Sequence, residues 1–277
     1  MLLQRILTAA VGIPITVYII QFGGWLFASA IIALALAAWR EYGLMLRKQN
    51  IEIGMLGGAA STLLLLLSGW CGNSEEIIMA IWIVLLWTLL RTLRIWQNNN
   101  HSFVPAAFSL FGVIYIGFSF MHLILLREVS TMVITQTHFA NMSLGTVYLW
   151  VAFLATWASD TFAYFVGTAL GRHKLAPNIS PHKSVEGFVG GVIGAVLAVL
   201  VFGHFTAIPI VHRIATGMLV GLVSPIGDLA ESALKRFCCV KDSGSLLPGH
   251  GGVLDRFDSI LFSVPVIYYY VRLIILQ

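Results

Sequence analysis

The sequence predicts an all-α protein, a polytopic transmembrane helix bundle of about nine spans. Three observations carry that expectation. Of the 277 residues, 58% are hydrophobic and only 10% charged, against roughly 45–50% and 25% in ordinary soluble domains. Such a chain has too little polar surface to cover a water-soluble globule. Apolar runs of the roughly 20 residues needed to cross a bilayer recur along the whole length. The basic residues sit between those runs and favour alternate ends of them.

The runs fall at 5–22, 24–40, 53–71, 77–96, 103–126, 145–168, 187–207, 213–233 and 258–276. The first follows Arg5, and Ala28-Ser29-Ala30 has the look of a signal-peptidase site. Hydrophobicity continues through that triplet to Trp39, which favours an uncleaved first span. The fourth run carries Arg91 and Arg94 near its end. Gly and Pro within these runs do not argue against helix, because membrane helices tolerate both. With nine spans, thirteen of the 16 Lys and Arg residues lie on the side of the N-terminus, and only Arg127, Arg213 and Arg272 on the other. By the positive-inside rule, the N-terminus is then cytoplasmic and the C-terminus external, in an inner membrane.

The chain has two textures. Residues 1–102 read as plain N-terminal membrane helices. Residues 103–277 form the C-terminal membrane region, in which charged and polar residues gather in and beside the apolar runs and supply the candidate catalytic loops. Gly167/Gly171, Gly187/Gly191, Gly190/Gly194 and Gly217/Gly221 are spaced for close helix packing. Internal packing is the simpler use for them; a dimer face is the other. A net charge of +4, dispersed between apolar runs, suits anionic lipid or phosphate rather than nucleic acid. Cys71, Cys238 and Cys239 have no metal-site spacing and read as reduced filler.

Ionisable groups in a span are expensive and mark function by default. Asp160 lies in the sixth run, and Asp228 and Glu231 in the eighth. Asp228, Glu231, Ser232 and Lys235 share one helix face at i, i+3, i+4 and i+7. The plain alternative is an internal ion pair of Lys235 with Asp228 or Glu231. The following loop holds Lys235, Arg236, Lys241, Asp242, Pro248, Gly249, His250, Gly251, Gly252, Asp255, Arg256 and Asp258. Basic side chains and glycine amides hold phosphates. Paired acids hold Mg²⁺ together with substrate phosphates. Capping of the last helix by Asp255 or Asp258 is the plain alternative there. A second loop, 171–187, lies on the same predicted side. Two prolines stiffen it, and Lys183-Ser184 reads as a substrate contact. The sequence has no P-loop, no HExxH and no GxSxG.

These residues resemble the signature of the CDP-diacylglycerol synthases, also called phosphatidate cytidylyltransferases. The likeness is carried by Gly227-Asp228-Leu229-x-Glu231-Ser232-x-x-Lys235-Arg236, Lys241-Asp242-x-Gly244, Pro248-Gly249-His250-Gly251-Gly252 and Asp255-Arg256-x-Asp258. Asp160-x-x-Ala163-Tyr164-x-x-Gly167, Gly171-Arg172-His173-Lys174 and Ile179-Ser180-Pro181-x-Lys183 add to it. The motifs cover roughly 155–260, and the first 140 residues match only in hydropathy and order of spans. Cys238-Cys239 and Ser184 depart from the pattern without removing a candidate ligand.

The resemblance implies that CTP and phosphatidic acid react to give CDP-diacylglycerol and pyrophosphate in membrane lipid. It implies a Mg²⁺ centre, with a monovalent cation such as K⁺ as a candidate second ion, and a homodimer as a candidate assembly. Asp228 and Asp255 match the metal-holding acids, with Asp258 a further candidate. Lys183, Lys235, Arg236, Lys241 and Arg256 are expected on phosphates, Asp242 behind the metal, and His250 on phosphate or pyrophosphate. Ser180, Ser232, Gly249 and Gly251 are expected at the substrate. The competing readings are a CTP-dependent lipid kinase, which would release CDP, and a transporter, which would use the intramembrane acids as an ion path.

Overall fold

The computed structural model describes residues 2–96, 102–130, 134–136, 141–246 and 251–277. Helices dominate it. Seven are long and apolar enough to cross a membrane, and two apolar segments, Gly12–Phe22 and Met55–Cys71, are shorter. These two stand where the first and third spans are expected. At 1.5 Å per residue a 17-residue helix such as Met55–Cys71 reaches about 26 Å, a little short of a ~30 Å hydrocarbon core. The chain is thus an all-α polytopic membrane protein: among the described residues seven helices are each long enough to span, and the two shorter apolar segments occupy the other two expected positions.

By its contacts the chain forms two units, Met1–Leu125 with Phe237–Arg256, and Leu126–Arg236 with Phe257–Gln277. The first unit contains α1 (Leu2–Phe22), α2 (Gly24–Arg47), α3 (Met55–Cys71), α4 (Ser74–Trp96) and α5 (Val104–Gly112). From α5 the helix runs through a π-helical stretch, Val113–Phe118, into α6 (Ser119–Glu128). Gly23 and Gly24 adopt φ of 66° and 52°, a conformation that costs other residues, and this permits the abrupt break between α1 and α2. Gly72 closes α3 in the left-handed conformation, its amide bonding to the Ser68 and Gly69 carbonyls.

Two large aromatic residues in the interior of this unit pair their polar atoms with backbone carbonyls. The buried Trp39 donates through Nε1 to the Met55 carbonyl at 2.9 Å, and Tyr42 Oη donates to the Phe108 carbonyl at 2.8 Å. Both rings need room. A side chain at Gly58 would overlap Trp39, and one at Gly112 would overlap Tyr42. The same unit receives the start of the loop that precedes the last helix, where Phe237 stacks on Phe108 with centroids 5.3 Å apart.

The second unit opens with a short hairpin, β1 (Ile134–Gln136) and β2 (Asn141–Ser143), followed by α7 (Leu144–Leu170). The Ser143 hydroxyl accepts from the Thr146 amide and caps α7. A second antiparallel hairpin, β3 (Lys174–Ala176) and β4 (Ser180–Ser184), leads into α8 (Val185–His204), α9 (Ile210–Phe237) and α10 (Leu254–Tyr270). Pro177 and Asn178 fill the turn of the second hairpin, closed by the Ile179 amide on the Ala176 carbonyl. Ser184 ends β4 and caps α8 through Gly187. The paired glycines pack these helices. Side chains at Gly190 and Gly194 would press on Val166 and Phe162 of α7, and at Gly217 and Gly221 on Val196 and Val192 of α8. These glycine pairs therefore serve close packing within the unit.

Candidate active site

The second unit contains a cavity of about 600 Å³. Asp160, Tyr164 and Thr168 line it from successive turns of α7, and Ser180, His182 and Lys183 from the β3–β4 hairpin. The start of α8 adds Gly187 and Phe188, and α9 adds Pro225 and Asp228. The lining therefore mixes charged and polar side chains with the aromatic rings of Tyr164 and Phe188. The hairpin is held in place by Glu186, whose carboxylate accepts from the Arg172 and His173 amides at 3.0 and 3.2 Å and pairs with His173 Nδ1 at 2.6 Å. Arg236 donates through Nε to the Ile179 carbonyl at 3.3 Å and so ties the hairpin turn to α9.

The centre of this site is an ion pair. Lys183 Nζ lies 2.5 Å from Asp228 Oδ2, and both side chains remain partly open, at 25% and 33% exposure. Ser232 donates to the other carboxylate oxygen, Oδ1, at 3.3 Å. Two more acids belong to the same field. Asp160 senses the charges of Asp228 and Lys183, and Asp258 those of Asp228, Asp160 and Lys235. Gly227 allows this closeness, since a side chain there would run into the Asp258 backbone carbonyl. Lys235 pairs with the fully buried Glu231 one turn earlier on α9. Of the two ion pairs considered from sequence for Lys235, that with Glu231 forms, and Asp228 takes Lys183 instead.

The loop of the first unit forms a second constellation. Asp255 Oδ2 accepts from the Ser243 amide at 2.8 Å, the Ser243 hydroxyl at 2.8 Å and the Gly252 amide at 2.9 Å. Three donors on one oxygen fix the plane of the carboxylate. Gly251 has φ of 82°, and a side chain on it would come within 2.9 Å of that same oxygen. Lys241 and Asp242 are exposed on this loop, and Arg256 follows Asp255 in the first turn of α10. Pro248, Gly249 and His250 lie outside the described residues.

Among the described residues, no three His, Cys, Asp or Glu side chains are grouped as a complete metal-binding set. Mg²⁺ does not require one, because it commonly binds one or two carboxylates plus substrate phosphates and water. The donor chemistry around Asp228 fits such an ion: Asp160 and Asp228 line the same cavity, and Lys183 is the cation paired directly with Asp228.

Sequence reasoning singled out Asp160, Ser180, Lys183, Asp228, Ser232 and Asp258, and the structure gathers them in the second unit. It did not find Tyr164, Thr168, His182 and Phe188 as cavity wall. It also passed over Glu41 of α2. That carboxylate is 4% exposed and accepts from the Val253 amide at 2.9 Å and the Leu254 amide at 3.1 Å. The expected run ends at residue 40, so Glu41 fell just outside it, whereas α2 continues to Arg47.

The chain matches the Cytidylyltransferase family over residues 3–274. It is 33% identical to a phosphatidate cytidylyltransferase of Bacillus subtilis, with 98% of this chain and 97% of the relative aligned. Proteins of that name from Staphylococcus epidermidis and Staphylococcus haemolyticus are 34% and 35% identical, each alignment covering 95% of this chain and 96% of the relative. With the motifs of the cavity and the loop set within a match that spans nearly the whole sequence, the chain belongs to the cytidylyltransferase family and is a nucleotidyltransferase.

Proposed function

We propose that this enzyme joins CTP to phosphatidic acid, forming CDP-diacylglycerol and pyrophosphate with the help of Mg²⁺. The observation that carries the reading is the Lys183–Asp228 pair at a cavity inside a unit of membrane helices. A lipid phosphate is met within the membrane, and a nucleotide needs fixed cations; a cation paired with an acid in such a unit suits both.

A phosphate oxygen of phosphatidic acid forms a bond to the α-phosphorus of CTP. The bond from that phosphorus to the bridging oxygen breaks, and pyrophosphate leaves with the electron pair. A phosphate monoester has its second pKa at about 6 and is mostly dianionic at neutral pH. The nucleophile therefore needs no strong general base. The difficulty is charge repulsion between two polyanions, which positioning and charge neutralisation overcome in phosphoryl-type transfers. Lys183 is suited to hold a phosphate oxygen, with Asp228 holding its ammonium in place. Ser180 and Ser232 are suited to donate hydrogen bonds. Arg236, tied to the hairpin turn, lends charge at its edge, while Lys235 is engaged with Glu231. Asp228, aided by Asp258, would hold a divalent cation, which would supply Lewis-acid neutralisation of the phosphates. In the loop, Lys241 and Arg256 are the phosphate-binding candidates and Asp255 the second acid of the signature, with Asp242 supporting it and Gly251 shaping its approach; His250 and Gly249 retain the roles their motif implies.

The enzyme is placed in the inner membrane with its N-terminus and both functional loops cytoplasmic. The bias of Lys and Arg toward one set of helix ends supports this placement.

The test is incubation of the purified protein with phosphatidic acid, Mg²⁺ and CTP labelled at either the α- or the γ-phosphate. The α-label is expected in the lipid phase, the γ-label in released pyrophosphate, and EDTA is expected to stop both. A γ-label in the lipid with release of CDP would make the enzyme a lipid kinase instead.

A further inference from the structure

We propose that Glu41 is a positioning residue for the reaction, acting through the loop that carries Lys241, Asp255 and Arg256. This rests on the proposed cytidylyl transfer. Glu41 comes from a helix that the sequence presents as ordinary membrane filler, yet its carboxylate is buried in the first unit. Each of its oxygens accepts a backbone amide at the N-terminus of α10, Oε1 from Val253 and Oε2 from Leu254. Those amides have no partner within the helix, and the helix N-terminus favours negative charge. Glu41 thus fixes where α10 begins.

It also reaches the acid of the signature. Ser243 Oγ lies 3.3 Å from Glu41 Oε2 and 2.8 Å from Asp255 Oδ2. A hydroxyl has one proton to give, and the shorter contact directs it to Asp255. Glu41 then bounds the other side of the serine. The loop is shaped around this group. A side chain at Gly244 would come within 2.6 Å of Glu41 Oε1, and one at Gly252 would collide with Ser243 Oγ and Glu41. Two glycines of the motif therefore make room for a carboxylate from a distant part of the chain.

Helix capping alone does not account for a carboxylate here. A serine or asparagine caps a helix without bringing a buried negative charge next to a second carboxylate. What the charged group adds is rigidity: two successive amides are held at once, one on each carboxylate oxygen. Misplacing catalytic groups by about 1 Å costs on the order of 100-fold in rate, so a brace of this kind sets turnover more than substrate affinity.

The experiment compares Glu41→Gln and Ser243→Ala with the unaltered full-length protein in detergent micelles. Backbone amide exchange over 241–256 is measured with kcat and KM for CTP at saturating phosphatidic acid and Mg²⁺, per folded protein by size exclusion. Glu41→Gln is expected to speed exchange in 241–256 alone and to lower kcat by about 10–100-fold, with KM for CTP within about threefold. Ser243→Ala is expected to act in the same direction and less strongly, and it decides the matter if Glu41→Gln does not fold. An unchanged kcat in the folded variant, with only a lower melting temperature, would overturn the positioning role. An unaltered protein that makes no CDP-diacylglycerol would overturn the proposed reaction instead, while the exchange data would still report whether Glu41 braces the loop.

Discussion

Lys183 and Asp228 illustrate how a membrane interior can hold charge usefully. Each neutralises the other at 2.5 Å, yet both stay partly open to a cavity, so incoming phosphate or a cation can compete for either. Replacing Lys183 by Met is expected to lower kcat/KM by about 10²–10³-fold, the usual loss when one fixed donor to a developing charge is removed; steady-state kinetics with CTP as the varied substrate checks this. The Glu231–Lys235 pair is different. Glu231 is fully buried, so removing it alone strands a cation. Glu231→Ala is expected to destabilise the protein by about 3–5 kcal/mol, and adding Lys235→Met to recover part of that loss. Thermal denaturation of the two single variants and the double variant measures the coupling. Sequence showed Asp228 and Glu231 because they interrupt an apolar run, and Lys183 and Lys235 because they belong to charged loops beside such runs. Their pairing was not legible, since no local spacing links the Lys183 strand to the Asp228 helix. Glu41 was hidden for the same reason: its partners are backbone amides far along the chain.

The helices were legible because hydrophobicity and length define a membrane helix almost without reference to its neighbours. The hairpins were not. Strands β3 and β4 are three and five residues long, too short for an alternating pattern, and they carry Lys174, Ser180, His182 and Lys183, which read as loop. Yet this hairpin delivers Ser180, His182 and Lys183 to the cavity. Its junction with α8 rests on the Ser184 hydroxyl at 3.1 Å from the Gly187 amide. Ser184→Ala is expected to cost about 1 kcal/mol through loss of that cap, seen as a lower melting temperature. The glycine face of α8 predicts a larger effect. Gly194→Leu places a branched side chain against Phe162, and overpacking of this kind costs about 1–3 kcal/mol; a loss of monodisperse protein on size exclusion is the expected sign.

Across the molecule, the charge bias supports the proposed orientation of the spans. In a cysteine-free background, Lys174→Cys is expected to react with a membrane-impermeant thiol reagent only when the cytoplasmic face is accessible, and Ser74→Cys only from outside. The opposite pattern would invert the proposed topology. The fold class and the family motifs could be read from one sequence because a bilayer and a polyphosphate each impose severe demands on few residues. The cavity could not, because its wall is assembled from α7, a hairpin, α8 and α9.

The central claim is that the cavity built around Asp228 handles the phosphates and their metal. Turnover of purified Asp228→Asn, with saturating CTP, phosphatidic acid and Mg²⁺, tests it most directly. The account predicts a fall of about 10³-fold or more, as expected when a group central to charge neutralisation is lost, in a protein that keeps its elution position and helical circular dichroism. Turnover within a few-fold of the unaltered enzyme would contradict it.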